Sequence, residues 1–160
     1  MNKETAAEEL LTVDFHLVLP YRWAAGPYLS RFFREIRDNK RLLANRCGHC
    51  RRILLPPRVV CGQCRAPAGE DWVELSDKGT LRTFIKVVQP GWDPVEGRYR
   101  SEMYMVGEIE LDGAEGALFD HFLEEQDPQN LLEGMRVQAV WREQRSGDLK
   151  DILHFKVIQE

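Results

Sequence analysis

The sequence holds four cysteines, all between positions 47 and 64, in two Cys-x-x-Cys pairs: Cys47 with Cys50 and Cys61 with Cys64. The full spacing is C-x2-C-x10-C-x2-C. In each pair a tight turn lets two thiolates reach one ion. Two such turns on two hairpins make a tetrahedral four-sulfur site with no open position, which is a structural geometry. A closed site of this kind does not activate water, and its binding free energy becomes folding free energy. Zinc is the favoured ion, and iron in a rubredoxin-like site is the alternative, because thiolates accept both. Neither pair opens a helix in a βαβ unit, which argues against thioredoxin-like redox chemistry. Gly48 and Gly62 follow the first cysteine of each pair and are expected to ease the turns. His49 lies within the first knuckle and reads as an exposed loop residue, since four thiolates already complete the set.

With every sulfur committed to metal, no thiol is left to act as a nucleophile. The remaining histidines, His16, His121 and His154, are scattered. The last two fall inside expected strands, where packing in or on a barrel wall is their expected role. No Gly-x-Ser-x-Gly, phosphate loop or Rossmann fingerprint is present.

The elements that must position the cysteines follow from periodicity. Pro27 to Asn45 reads as helical, with Pro27 at a first-turn position. Leu29, Phe32, Phe33 and Ile36 share one stripe, followed by Leu42 and Leu43. Asp38-Asn39 offers a break into two helices. Arg31, Arg34, Arg37, Lys40 and Arg41 cover the opposite face, either as solvated charges or as a phosphate- or partner-binding surface. From about Asp71 the pattern turns to β. Strands are expected at Thr80 to Gln89, Tyr104 to Leu111, Gly116 to Leu123, Met135 to Glu143 and Asp151 to Gln159, with one helical turn at Asp127 to Leu132. Five strands with a helical insertion after the third is the order of an OB-fold barrel. The predicted fold is therefore mainly β with N-terminal helices, a rubredoxin-like zinc ribbon followed by a five-stranded OB-fold barrel. Its expected divisions are a leader arm at 1–24, a helical region plus ribbon at 25–70 and the barrel at 71–160. Phe15, Leu17 and Leu19 alternate within the leader, as a docking strand or as a frayed arm. The segment Pro90 to Met103, with Trp92, Tyr99 and Arg100, is a long loop of the kind that is usually functional or mobile.

The net charge of −4 hides a sharp asymmetry. Arg22 to Arg65 carries 11 Lys or Arg against two carboxylates, whereas Ala66 to Glu160 carries 10 against 20. The basic half suits phosphates or an acidic protein surface, and the acidic half should repel a nucleic-acid backbone. No apolar run approaches the roughly 18 residues that span a bilayer. The first residues lack the basic and apolar regions of a secretory signal. Clustered Cys-x-x-Cys pairs also suit a reducing compartment. A soluble cytoplasmic protein is expected.

The segment CGHCRRILLPPRVVCGQCRAP resembles the ribbon of the small acyl-CoA-associated zinc-ribbon/OB-fold proteins. The likeness extends to Tyr28, Phe32 and Phe33 before the ribbon, to Lys40-Arg41-Leu42-Leu43 leading into Cys47, to Pro56-Pro57-Arg58 between the pairs, and to Gly79-Thr80-Leu81 opening the barrel. The resemblance implies an N-terminal helical hairpin and a non-catalytic subunit. Members are similar to partners of sterol-carrier-type thiolases, related aldolases and hydratases acting on CoA thioesters, and include chains resembling benzoylsuccinyl-CoA thiolase small subunits. The implied partner is a larger thiolase-like subunit in a hetero-oligomer, with CoA or acyl-CoA as shared ligand. Arg51, Arg52, Arg58 and Arg65 surround the ribbon and are then the candidates for the CoA phosphates. Each read singly is equally a solvated charge or a contact to a partner's acidic surface. Trp92 would cover an acyl chain or anchor an interface. The competing function is a nucleic-acid-binding zinc-ribbon/OB protein, which the acidic barrel disfavours. A rubredoxin-type electron carrier would leave the barrel unexplained.

Overall fold

The computed structural model describes residues 24–88, 91–93 and 98–159. The leader arm with its alternating Phe15, Leu17 and Leu19, and His16, lie outside the described residues.

Helix α1 spans Gly26–Asn39, with Pro27 in its first turn. Phe32 and Ile36, one turn apart on one face, are fully buried. The helix ends because Lys40 turns left-handed (φ 54°), its N–H closing on the Glu35 carbonyl. Strand β1 follows at Leu42–Arg46, and β2 at Ile53–Leu54. The expectation of helix to Asn45, and of a helical hairpin, is thus corrected: its second limb is strand. Leu42, Leu43, Ala44 and Asn45 are all buried. A strand covered on both faces carries an unbroken apolar run, which periodicity alone does not separate from a helix stripe.

Strand β3, Asp71–Leu75, pairs antiparallel with β1, so the three-stranded ribbon sheet runs β2-β1-β3. The expected boundary at 71 therefore cuts into the ribbon sheet, since the first barrel strand is β4, Lys78–Val87. Two short strands within the long loop, β5 (Gly91–Asp93) and β6 (Arg98–Arg100), form a hairpin. The barrel continues with β7 (Tyr104–Leu111), β8 (Phe119–Phe122), β9 (Arg136–Trp141) and β10 (Ile152–Val157). A 3-10 turn at Pro128–Asn130 lies between β8 and β9, where the helical turn is expected.

The barrel sheet has the order β10-β9-β4-β7-β8. Leu123 bridges Phe155 in parallel, and the Glu124 N–H donates to the Phe155 carbonyl at 2.9 Å, so the first and last strands of that order meet. This closure, with β9 crossing over to pair with β4, makes an OB-type Greek-key barrel of the five strands. Two glycines allow it. A side chain at Gly79 would press on the Glu110 carbonyl and the Leu111 Cα, and one at Gly107 would enter the space of Leu81 and Leu123.

Leu81, Ile109, Val137 and Phe155 fill the barrel, and Phe32, Ile36, Leu42 and Leu75 join the same apolar cluster. Helix, ribbon sheet and barrel therefore share one core. The loop between β9 and β10 hooks onto the helix, with Arg145 Nε donating to the Arg37 carbonyl at 2.7 Å. Among the described residues no helix is long and apolar enough to cross a membrane.

Candidate metal centre and the basic ribbon

The two knuckles repeat one backbone pattern. Arg51 N–H donates to the Cys47 carbonyl and Arg65 N–H to the Cys61 carbonyl, at 3.0 and 2.9 Å. The N–H of Cys47 reaches Arg52 and that of Cys61 reaches Ala66. Each turn folds the second cysteine back under the first. The left-handed residue is the one after the second cysteine, Arg51 (φ 62°) and Arg65 (φ 59°). This corrects the role expected of Gly48 and Gly62. Neither has a positive φ, and a methyl group at either would meet nothing closer than 3.8 Å.

All four sulfurs lie within 4.8 Å of one another. Cys47 Sγ is 3.6 Å from Cys64 Sγ, and Cys50 Sγ is 3.7 Å from Cys61 Sγ. A tetrahedron with Zn–S bonds of about 2.3 Å has edges of about 3.8 Å, so the donor set fits zinc. Backbone amides favour the anionic form of two ligands. The N–H groups of Cys50 and His49 lower the Cys47 thiol to about 6, and those of Cys64 and Gln63 lower Cys61. Cys64 accepts an amide from Ala66, yet burial and the three neighbouring sulfurs push it up to about 11. Four thiols packed this closely do not ionise together without a cation to share. His49 contributes its amide, not its ring, and its side chain is exposed.

Cys47, Leu54, Cys61 and Ala68 make a separate small cluster around the site. Buried Asn45 staples both connecting loops to β1. Its Nδ2 donates to the carbonyls of Arg58 (3.0 Å) and Gly69 (3.2 Å), and its Oδ1 accepts from Arg58 N–H (3.0 Å). The sequence offers little to find it: one Asn at the end of an apolar run.

The structure divides the four expected arginines into two groups. Arg51 and Arg52 line a cleft of about 520 Å³ between the first knuckle and the barrel turn at Glu115 to Ala117. Arg51 Nη2 lies 3.2 Å from Asp71. Arg58 belongs to the second knuckle, its Nη1 lying close to Gly62, and the exposed Arg65 caps that knuckle. Arg46 was not among the expected residues. It forks onto Glu115 at 2.7 and 2.8 Å, and so ties ribbon to barrel. The hydrogen bonds from Arg46 hold the Glu115 carboxyl below its ordinary value. On the loop hairpin, Trp92 and Tyr99 meet edge to face at 5.3 Å while remaining 55% and 68% exposed.

Residues 34–68 match the ChsH2 rubredoxin-like zinc ribbon domain, and residues 72–142 match the ChsH2 C-terminal OB-fold domain. A DUF35 domain-containing scaffold protein of Methanocaldococcus jannaschii is 30% identical over 112 residues, covering 70% of this chain and 75% of that protein. The chain belongs to the DUF35 family. A DUF35 scaffold protein of Pyrococcus furiosus is also 30% identical, over 75% of this chain and 82% of its own length. Among solved structures, a chain of the Ltp2-ChsH2(DUF35) aldolase superposes with a TM-score of 0.58 at 26% identity, covering 85% of this chain and 98% of that one. A DUF35 protein of unknown function from Sulfolobus solfataricus shares the fold, with a TM-score of 0.54 at 19% identity over 82% and 84% of the two chains. This DUF35 chain has the ribbon and the barrel that its sequence predicts, with the four cysteines gathered as a zinc ribbon requires.

Proposed function

We propose that this DUF35 protein is a non-catalytic, zinc-bearing subunit of a hetero-oligomeric enzyme complex that acts on acyl-CoA thioesters, with a thiolase-type acyltransferase as the larger subunit. The observation that carries the reading is the single four-sulfur cluster. The chain has four cysteines, and all four converge on one point, which leaves no thiol to accept an acyl group. The scaffold relatives and the Ltp2-ChsH2 aldolase support a helper role within a larger assembly. Free thiols poised for metal suit a reducing cytoplasm.

Bound zinc would supply fold and charge balance, not a reaction step. The chain's own residues do the rest. Asn45 and the knuckle turns set the direction of Arg58 and Arg65, and Asp71 orients Arg51, so guanidinium groups face outward toward the phosphates of CoA held by the partner. Trp92 and Tyr99, exposed and paired, have the composition of an interface anchor. The partner's own site would hold the acyl group.

The test is purification of the chain from its host together with whatever subunit accompanies it. The complex should turn over a CoA thioester, and the isolated chain should not. Turnover by the isolated, zinc-loaded chain would overturn the reading. Steep salt-dependent binding of single-stranded oligonucleotides would instead favour a nucleic-acid role.

A further inference from the structure

The acidic half of the molecule holds one feature that its charge does not predict. Residues 66 to 160 carry twice as many carboxylates as cations. Yet three of those cations, Arg100, Arg142 and Lys150, line a single barrel cleft of about 420 Å³ that also holds one carboxylate, Asp120. That volume lies in the range of small-ligand sites.

The cleft is built before any ligand arrives. Arg100 lies over two rings, 5.2 Å from the centroid of Phe122 and 5.6 Å from that of Tyr104, and those rings meet edge to face at 5.3 Å. Lys150 sits on a rigid turn. Its N–H donates to Asp148 at 2.7 Å, while buried Asp151 accepts from the N–H groups of Ser146 and Gly147 at 2.8 and 2.7 Å. The walls between the cations are apolar, among them Ile152 and Leu153. His121, also in the lining, is buried. Its Nε2 is 3.2 Å from the Leu149 carbonyl, which places the proton on Nε2. Nδ1 is then a buried acceptor with no partner among the described residues.

We infer that this cleft binds an organic anion with an apolar body, a carboxylate or phosphate ester of an acyl or aryl group, gripped by Arg100, Arg142 and Lys150 above apolar and aromatic walls. The site lies on the barrel and does not depend on the ribbon arginines or on any partner. Its test therefore uses the isolated, zinc-loaded full chain.

Octanoate, coenzyme A and inorganic phosphate are titrated by calorimetry and by amide chemical-shift mapping. Octanoate should bind at one site with a Kd on the order of 10⁻⁴ M, shifting Phe122 and Leu153. Inorganic phosphate, lacking an apolar body, should bind at least about tenfold more weakly. Exposed Arg142→Ala and half-buried Lys150→Ala should each weaken octanoate about tenfold, and Leu153→Glu should abolish binding, all with unchanged circular dichroism. Coenzyme A displacing octanoate would assign the anion to a nucleotide phosphate. Failure to displace it would assign a free carboxylate, and both support the site. Three results overturn it: no octanoate binding at millimolar concentration, binding that all three variants leave intact, or displacement of octanoate by oligothymidylate.

Discussion

Two regions of this molecule solve the same problem by opposite means. The knuckle end builds its core from two cysteines, Leu54 and Ala68, far too little apolar surface to order two loops. The barrel end shares twenty buried residues with the helix and the ribbon sheet. The first region is held by an ion and one buried asparagine, the second by burial. The lesson is that the knuckles can present four arginines outward because they spend few side chains inward.

The difference can be tested at each joint, beginning with the largest effect. Removing zinc with a chelator, or substituting Cys47→Ser, should release the knuckles while the barrel stays folded. The lost binding free energy is on the order of 10 kcal/mol. Hydrogen exchange should show amides near Cys47 and Cys61 losing protection while those of β7 and β9 keep it. Collapse of both regions together would erase the contrast. In the barrel, Gly107→Val should cost about 3 kcal/mol, because Leu81 and Leu123 occupy the space a side chain needs. Denaturant unfolding of the zinc-loaded protein reads that loss. Asn45→Ala should cost about 2 kcal/mol by removing the three hydrogen bonds between its buried amide and the backbone of Arg58 and Gly69. It should also weaken zinc retention in a competition with a chromophoric chelator.

Arg51→Gly and Arg65→Gly should each stabilise the zinc-loaded form by about 1 kcal/mol, since glycine accepts the left-handed turn that arginine strains to adopt. Thermal melts of the isolated chain would record the gain. If activity of the assembled complex falls while stability rises, those arginines are kept for contact and not for fold. The smallest effect belongs to the Arg46–Glu115 fork, which is exposed and screened. Glu115 titrates below its ordinary value because Arg46 donates to it. Its contribution is present above the ordinary carboxylate range and is lost as pH falls through the lowered value. Acid should therefore loosen the ribbon–barrel joint, seen as exchange broadening at Ala117, and Glu115→Gln should remove that pH dependence.

Much of this was legible in the sequence where a residue type has only one economical use. Four cysteines at ribbon spacing read as a metal site, and the barrel strands appear within a few residues of their expected places. The departures have physical reasons. Leu42-Leu43-Ala44 reads as helix because a strand buried on both faces shows no alternation. Gly48 and Gly62 attract the eye as turn residues, yet the strained positions fall on Arg51 and Arg65, where the fold overrides local preference. Asn45, Arg46 and Glu115 act across 13 to 69 positions of chain, a distance over which single-sequence patterns carry no signal. The cationic cleft was hidden for the same reason, since Arg100 on the loop hairpin lies far in sequence from Arg142 and Lys150, which share the connection between β9 and β10.

The hook from Arg145 to the end of α1 spans 108 positions, whereas the four sulfurs all lie between residues 47 and 64. A ribosome therefore delivers the entire ligand set long before it delivers the residues that clasp the helix. Metal capture can precede completion of the barrel during synthesis, and the helix, packed first against β1, gains its last clasp only when the far end of the chain emerges.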